Sequence, residues 1–256
     1  MDPGTCRERV SRLKRLASAA APAFLLLFAV CACGNPTAVA VQRTMPTMPW
    51  QAMGNPYVWT MGDSITAACT INTRTGGGMG IGWRDLGHIA WPGANAGQII
   101  DRLQGIGTWP AETVTEDPGM EQVWFRDAGA WIIELGTNDA RSRTPDQYRA
   151  DVRWFLDRSN GRPVVWVNSQ DPDWEHPGSD VPVKVAALND ILVEEAMTHS
   201  NMRIVDWAAF IGTHPHDVRS DGVHPADGYA CDDLFGLIAK AVPAAEAPSP
   251  RGSSSG

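Results

Sequence analysis

The chain has 256 residues, of which 43% are hydrophobic and 20% charged. That is enough for one sizeable domain with a real core, and too apolar for a disordered chain. The formal net charge is −8, and residues 1–32 hold five cations against two acids, so the remainder is more acidic still. An acidic body without a basic stripe argues against nucleic acid as a partner.

At the N-terminus, Arg7, Arg9, Arg12, Lys14 and Arg15 precede LASAAAPAFLLLFAVCA, an apolar stretch interrupted by Pro22 and short for a membrane span. Residues 1–32 therefore read as an export signal. The run ends in VCACG, which resembles a bacterial lipobox: Cys33 follows Ala32, with Val30 three places before it. Cys33 is expected to be the lipidated first residue of a cell-envelope protein held to the membrane. An ordinary secretory signal cleaved nearby is the first alternative, and retention as an uncleaved anchor the second. Residues 33–55 hold three prolines and little periodicity, so they read as a lead-in to a domain over 56–243. The low-complexity tail 244–256 is expected to be disordered.

The domain opens with YVWTM (57–61), a strand candidate that runs into GDSI and presents Ser64. A serine there is either a helix cap or a nucleophile. HIAW (88–91) reads as the second strand, followed by WPGANAGQII and a helix over 96–106. AWIIEL (130–135) is the third strand and ends in GTND, with Asn138 and Asp139 at its exit. An asparagine side chain there can donate to a developing oxyanion or simply shape a turn. Glu134 lies within this otherwise apolar strand and needs a partner.

A helix over 145–159, a strand at 163–168 and the loop QDPDWEHPGSD (170–180) follow. The next helix, 181–200, places Val185, Leu188, Leu192 and Ala196 on one face, ahead of a strand at 202–207. SDGVHP (220–225) sets Asp221 three residues before His224, where a carboxylate can hold Nδ1–H and leave Nε2 as a base. A helix over 226–242 closes the domain. Apolar strands separated by helices predict a parallel sheet covered on both faces. Ser64, Gly93 and Asn138 each fall just past a strand's carboxyl end, where such sheets bind ligands.

Of 11 tryptophans, Trp59, Trp131 and Trp166 are expected in the core. Trp83, Trp91 and Trp174 are candidates for a pocket, with Trp91 and Trp174 favoured as substrate-binding residues. His214 and His216 have a spacing that can grip a metal, but no third ligand is evident, so a solvated loop is expected and no metal.

MGDSI, GTND and DGVHP, in that order between residues 61 and 225, resemble the sequence blocks of the SGNH (GDSL-type) hydrolase family. The resemblance implies a flavodoxin-like three-layer α/β/α sandwich on a five-stranded parallel sheet. It implies hydrolysis of an ester or thioester through an acyl-serine, with Ser64 as nucleophile, His224 as base and Asp221 orienting the imidazole. The oxyanion hole would combine N–H groups of Ser64, Gly93 and Asn138. Gly93 takes the family's glycine position because that block often reads Gly-x-Thr, and Asn95 can replace the threonine as helix cap; Gly97 is the alternative. Asp63 and Asp139 are expected to be structural acids. No cofactor is implied, and a monomer acting on a small-molecule, lipid or glycan ester is expected. An acyltransferase on envelope sugars or lipids, and a non-catalytic carbohydrate- or lipid-binding protein on the same scaffold, are the alternatives.

Export leaves Cys69 and Cys231 as the remaining pair of thiols in an oxidising compartment. If Ser64 touches His224, the segments after each start from one spot, and a Cys69–Cys231 disulfide is expected. The alternative is two separate buried cysteines acting as small apolar residues.

Overall fold

A computed structural model describes residues 57–72, 84–115, 120–170 and 178–243, apart from the side chains of 70–72 and 84–86. The expected export signal, Cys33, the lead-in 33–55, Trp83, Trp174 and the tail 244–256 lie outside these residues. The elements in chain order are β1 (Tyr57–Gly62), α1 (Ser64–Asn72), β2 (Arg84–Ala90), α2 (Ala96–Leu103), β3 (Val114–Thr115), α3 (Glu121–Asp127) and β4 (Ala130–Glu134). They continue with α4 (Asp139–Ser142), α5 (Pro145–Ser159), β5 (Val164–Val167), α6 (Val181–Thr198), β6 (Met202–Val205), α7 (Trp207–Thr213), a 3₁₀ turn (Pro215–Asp217) and α8 (Gly228–Ala241).

The sheet runs in the order β3-β2-β1-β4-β5-β6. Its five long strands are parallel neighbours, as expected. It has six strands rather than five, because Val114–Thr115 pairs antiparallel with Ile89 and Ala90 at the edge. Two residues carry no alternating pattern, which is why this strand is silent in the sequence.

Successive strand residues point to opposite faces, and each face meets its own core. Val58, Ala130, Ile132, Val165 and Val167 join Ile65 of α1, Trp207 and Ile211 of α7, and Leu234 and Ile238 of α8. Trp59, Met61, Trp131, Ile133 and Trp166 turn the other way, to Ile99 of α2, Trp124 of α3, Phe155 of α5 and Leu188 of α6. The three strand tryptophans expected in the core are thus all fully buried, and all on this second face. Tyr148 Oη and Trp166 Nε1 both donate to the Leu135 carbonyl, at 3.0 and 2.9 Å, which anchors the exit of β4.

Local signals set several element ends. Asn95 caps α2 in a reciprocal box with Gln98, and Thr144 does the same for α5 with Gln147. The strand expected over 202–207 stops at Val205, because Asp206 instead caps α7 through Ala209 N–H at 3.0 Å. Cys69 of α1 is bonded to Cys231 of α8, with Cα atoms 5.3 Å apart. A bridge across 162 residues of sequence removes roughly 5 kcal/mol of chain entropy from the unfolded state. Among the described residues, no helix is long and apolar enough to cross a membrane.

Candidate active site

Ser64 stands where β1 hands over to α1. Asp63 takes the cap position: its Oδ1 accepts the Ile65 N–H at 2.8 Å, and its carbonyl accepts the Ala67 N–H at 2.9 Å. With that place filled, Ser64 is the first helical residue and its hydroxyl is left for another partner. The partner is His224, whose Nε2 lies 2.8 Å from Ser64 Oγ. The handover is tight. A Cβ at Gly62 would lie 2.0 Å from Thr66 Oγ1, so only glycine lets α1 fold back so closely on the strand end.

His224 is held by a loop that packs on itself. Arg219 N–H donates to the His224 carbonyl at 2.8 Å, and Val218 bridges to Pro225. Asp221 Oδ1 accepts the N–H groups of Val223 and His224 at 2.8 and 2.9 Å, while Oδ2 lies 2.9 Å from His224 Nδ1. Burial alone would raise the Asp221 carboxyl. The two N–H groups and the imidazole outweigh that and hold it below the usual carboxylate range. An ionised Asp221 keeps a proton on Nδ1, so Nε2 faces Ser64 as an acceptor.

Asn138 reaches the same region from the exit of β4. Its Nδ2 donates to Asp63 Oδ2 at 2.9 Å and to the Ala94 carbonyl at 3.0 Å. Both amide hydrogens are therefore engaged. Donation to an oxyanion requires giving up one of them, and the neutral Ala94 carbonyl is the weaker partner. Gly93 lies beside Ala94 in an exposed turn with φ +79°, where an added Cβ would touch nothing, so backbone conformation is its reason to be glycine. The alternative, Gly97, is inside α2, where a Cβ would lie 2.8 Å from the Arg143 guanidinium.

Further contacts tie these loops together. Asp139 accepts Ala96 N–H on both oxygens, at 3.0 and 3.3 Å. Asn95 Nδ2 donates to Ser142 Oγ, which donates in turn to the Asn138 carbonyl at 2.7 Å. Asp139 is fully buried, and desolvation pushes its carboxyl up to about 7; Asp151 and Asp63 push the same way against the Ala96 N–H and Arg143.

The partner for Glu134, unnamed from sequence, is the start of α1. Glu134 Oε2 accepts Thr66 N–H at 3.2 Å and Thr66 Oγ1–H at 3.1 Å, with Asp63 N–H at 3.5 Å. Burial raises the Glu134 carboxyl well above the usual range, and the neighbouring Asp63 side chain raises it further, by charge and as a hydrogen-bond partner. An acid in an apolar row was the available signal; its partners become evident only when β4 is paired with β1.

Trp91 is a correction to the expected pocket. It is 3% exposed and packed in the core, with its ring edge-on to Trp109 at 5.8 Å between centroids. His214 stacks on Phe210 at 4.1 Å, and His216 pairs with Asp217 at 3.1 Å. Among the described residues, no three His, Cys, Asp or Glu side chains are grouped to hold a metal.

The fold and site thus define an α/β/α protein carrying a serine–histidine–aspartate relay at the carboxyl end of its sheet. The sequence matches no family model and no curated protein. Solved structures do share the fold, and among them are a lipase/acylhydrolase, an acetylxylan esterase and a GDSL-like lipase. A lipase/acylhydrolase from Enterococcus faecalis superposes with a TM-score of 0.54 at 16% identity, over 72% of this chain and 93% of its own. A catalytic mutant of an acetylxylan esterase from Geobacillus stearothermophilus gives 0.52 at 14% identity, over 74% and 95%. A GDSL-like lipase from Bacteroides thetaiotaomicron gives 0.53 at 17% identity, over 72% and 86%. At such identities the likeness establishes the fold, and the chemistry rests on the site.

Proposed function

We propose that this protein is a serine esterase that hydrolyses carboxylic esters through an acyl-serine intermediate. The observation that carries the reading is the unbroken relay from Asp221 through His224 to Ser64, at 2.9 and 2.8 Å, with the capping duty taken by Asp63. His224 Nε2 takes the Ser64 proton as Oγ attacks the ester carbonyl carbon, and the carbonyl electron pair moves to the oxygen. N–H groups of Ser64, Gly93 and Asn138 receive that oxyanion, Asn138 exchanging Ala94 for it. Collapse expels the alkoxide, which takes the proton from His224. Water then repeats the sequence, releasing the acid and restoring Ser64.

The signal-like residues 1–32 and the VCACG boundary support an exported enzyme, lipid-anchored through Cys33. It would act as a monomer without a cofactor, on a small-molecule, lipid or glycan ester. Acyl nitrophenyl esters and acetylated sugars, scored for hydrolysis and transfer, test the activity, and a fluorophosphonate tests the nucleophile. Wild type should be labelled once, at Ser64, and Ser64→Ala should lose both labelling and turnover while keeping its fold. Turnover that survives in the Ser64→Ala protein would overturn the reading.

A further inference from the structure

Beneath Ser64 two acids, Asp63 and Glu134, are sealed from solvent at 0% and 3% exposure. Among the described residues, no lysine or arginine pairs with either. Glu134 comes from the third inward position of a row that begins Ala130 and Ile132, where an apolar residue would pack more cheaply. The register sets it opposite Gly62, directly under the turn that presents the nucleophile. Two carboxylates in contact cannot both stay ionised in such a place, so the pair holds one proton.

The hydrogen bonds show where that proton belongs. Asp63 accepts from Ile65 N–H on Oδ1 and from Asn138 Nδ2 on Oδ2, as a carboxylate does. Glu134 accepts only from the α1 start on Oε2, which leaves its other oxygen to donate. Burial raises both groups and, with the Asp63 charge added to it, sets Glu134 well above the usual range, whereas at Asp63 the Ile65, Glu134 and Asn138 hydrogen bonds offset part of the rise. The other titratable groups acting on the pair are His224, Asp139 and Tyr148.

We propose that Glu134 is a positioning residue: its neutral carboxyl donates to the Asp63 carboxylate and thereby fixes the amide of Asn138 and the start of the helix that carries Ser64. Glu134 touches no reacting atom. It acts through Asp63, which keeps one Asn138 hydrogen and so aims the other. Loss of the Glu134 proton sets two carboxylates against each other and loosens both supports together. This inference rests on the esterase reading for its kinetic test, and has a second test that does not.

Kinetics on a nitrophenyl ester from about pH 6 to about pH 10 provide the first test. Wild-type kcat should fall on the alkaline side. Glu134→Gln keeps an oxygen for Thr66 and a donor for Asp63, so it should hold kcat within about threefold near neutrality and remove the alkaline fall. Glu134→Leu should lower kcat roughly tenfold to a hundredfold across the range, with little change in KM. An unchanged alkaline fall in Glu134→Gln overturns the proposal, even if Glu134→Leu fails to fold. A wild type that is neither labelled nor active defeats the esterase reading instead. Melting temperature then judges Glu134 alone: Glu134→Gln should gain on wild type as pH rises from about 5 to about 9. Parallel curves would refute the buried proton.

Discussion

Glu195 and Glu134 are almost equally sealed from solvent, at 1% and 3% exposure, yet they are satisfied by opposite means. Glu195 on α6 receives Arg149 and Arg153 from α5, at 2.9 and 3.0 Å, with His199 3.4 Å away. Burial would raise it, but the Arg153 and Arg149 hydrogen bonds more than offset that, and it lies below the usual range. Among the described residues no lysine or arginine meets Glu134 or Asp63, and burial leaves both raised. A carboxylate balanced by guanidinium groups is indifferent to pH near neutrality. A pair balanced by a proton is not. The helix contact behind the sheet is thus built for constancy, and the site end carries groups whose state depends on the medium.

The largest break in this contrast should come from Arg149→Ala combined with Arg153→Ala. That variant strands a buried carboxylate, and urea unfolding should show a loss of about 3–5 kcal/mol with esterase activity of the folded fraction unchanged.

Asp139 sharpens the other side. Its folded carboxyl is raised to about 7 from 3.8, so its stability contribution is present below the unfolded value and lost as pH rises through the folded one. Asp139→Asn keeps an oxygen for Ala96 N–H and removes the charge. Thermal melts should show the variant gaining on wild type from about pH 4 to about pH 7, then levelling, with a ceiling of about 4 kcal/mol.

The smallest effect concerns Asp63 and Asn138 together. Asp63→Ala and Asn138→Ala should each lower kcat roughly a hundredfold, because both take the same amide from its place. The double variant should fall little further, and kcat losses that multiply would show that the two act separately.

The relay was legible from sequence because its parts are local. Asp221 and His224 are three residues apart on one turn, and Ser64 comes two residues after its strand ends. The parallel sheet was legible because its strands are short apolar runs between helical patterns. What stayed hidden depended on distant partners. Trp91 offers the same sequence signal whether it lines a pocket or packs in the core, and its neighbour Trp109 lies beyond α2, in an irregular segment that has no periodic pattern. Glu134 was visibly out of place in its strand, but naming Thr66 and Asp63 required the pairing of β4 with β1. The edge strand Val114–Thr115 has too few residues to show any pattern.

The Cys69–Cys231 bond gives the chain the topology of a lasso drawn nearly shut. Ser64 lies five residues before one end of the bond, and His224 lies seven before the other. The covalent path between nucleophile and base is therefore a dozen or so residues through sulfur, against 160 along the backbone. A single cut anywhere between Cys69 and His224 leaves one molecule that still carries both groups on short arms. Even in the unfolded chain, a tether of that length keeps them at an effective concentration on the order of millimolar. Re-forming their contact is then a local search, whatever happens to the long loop between them.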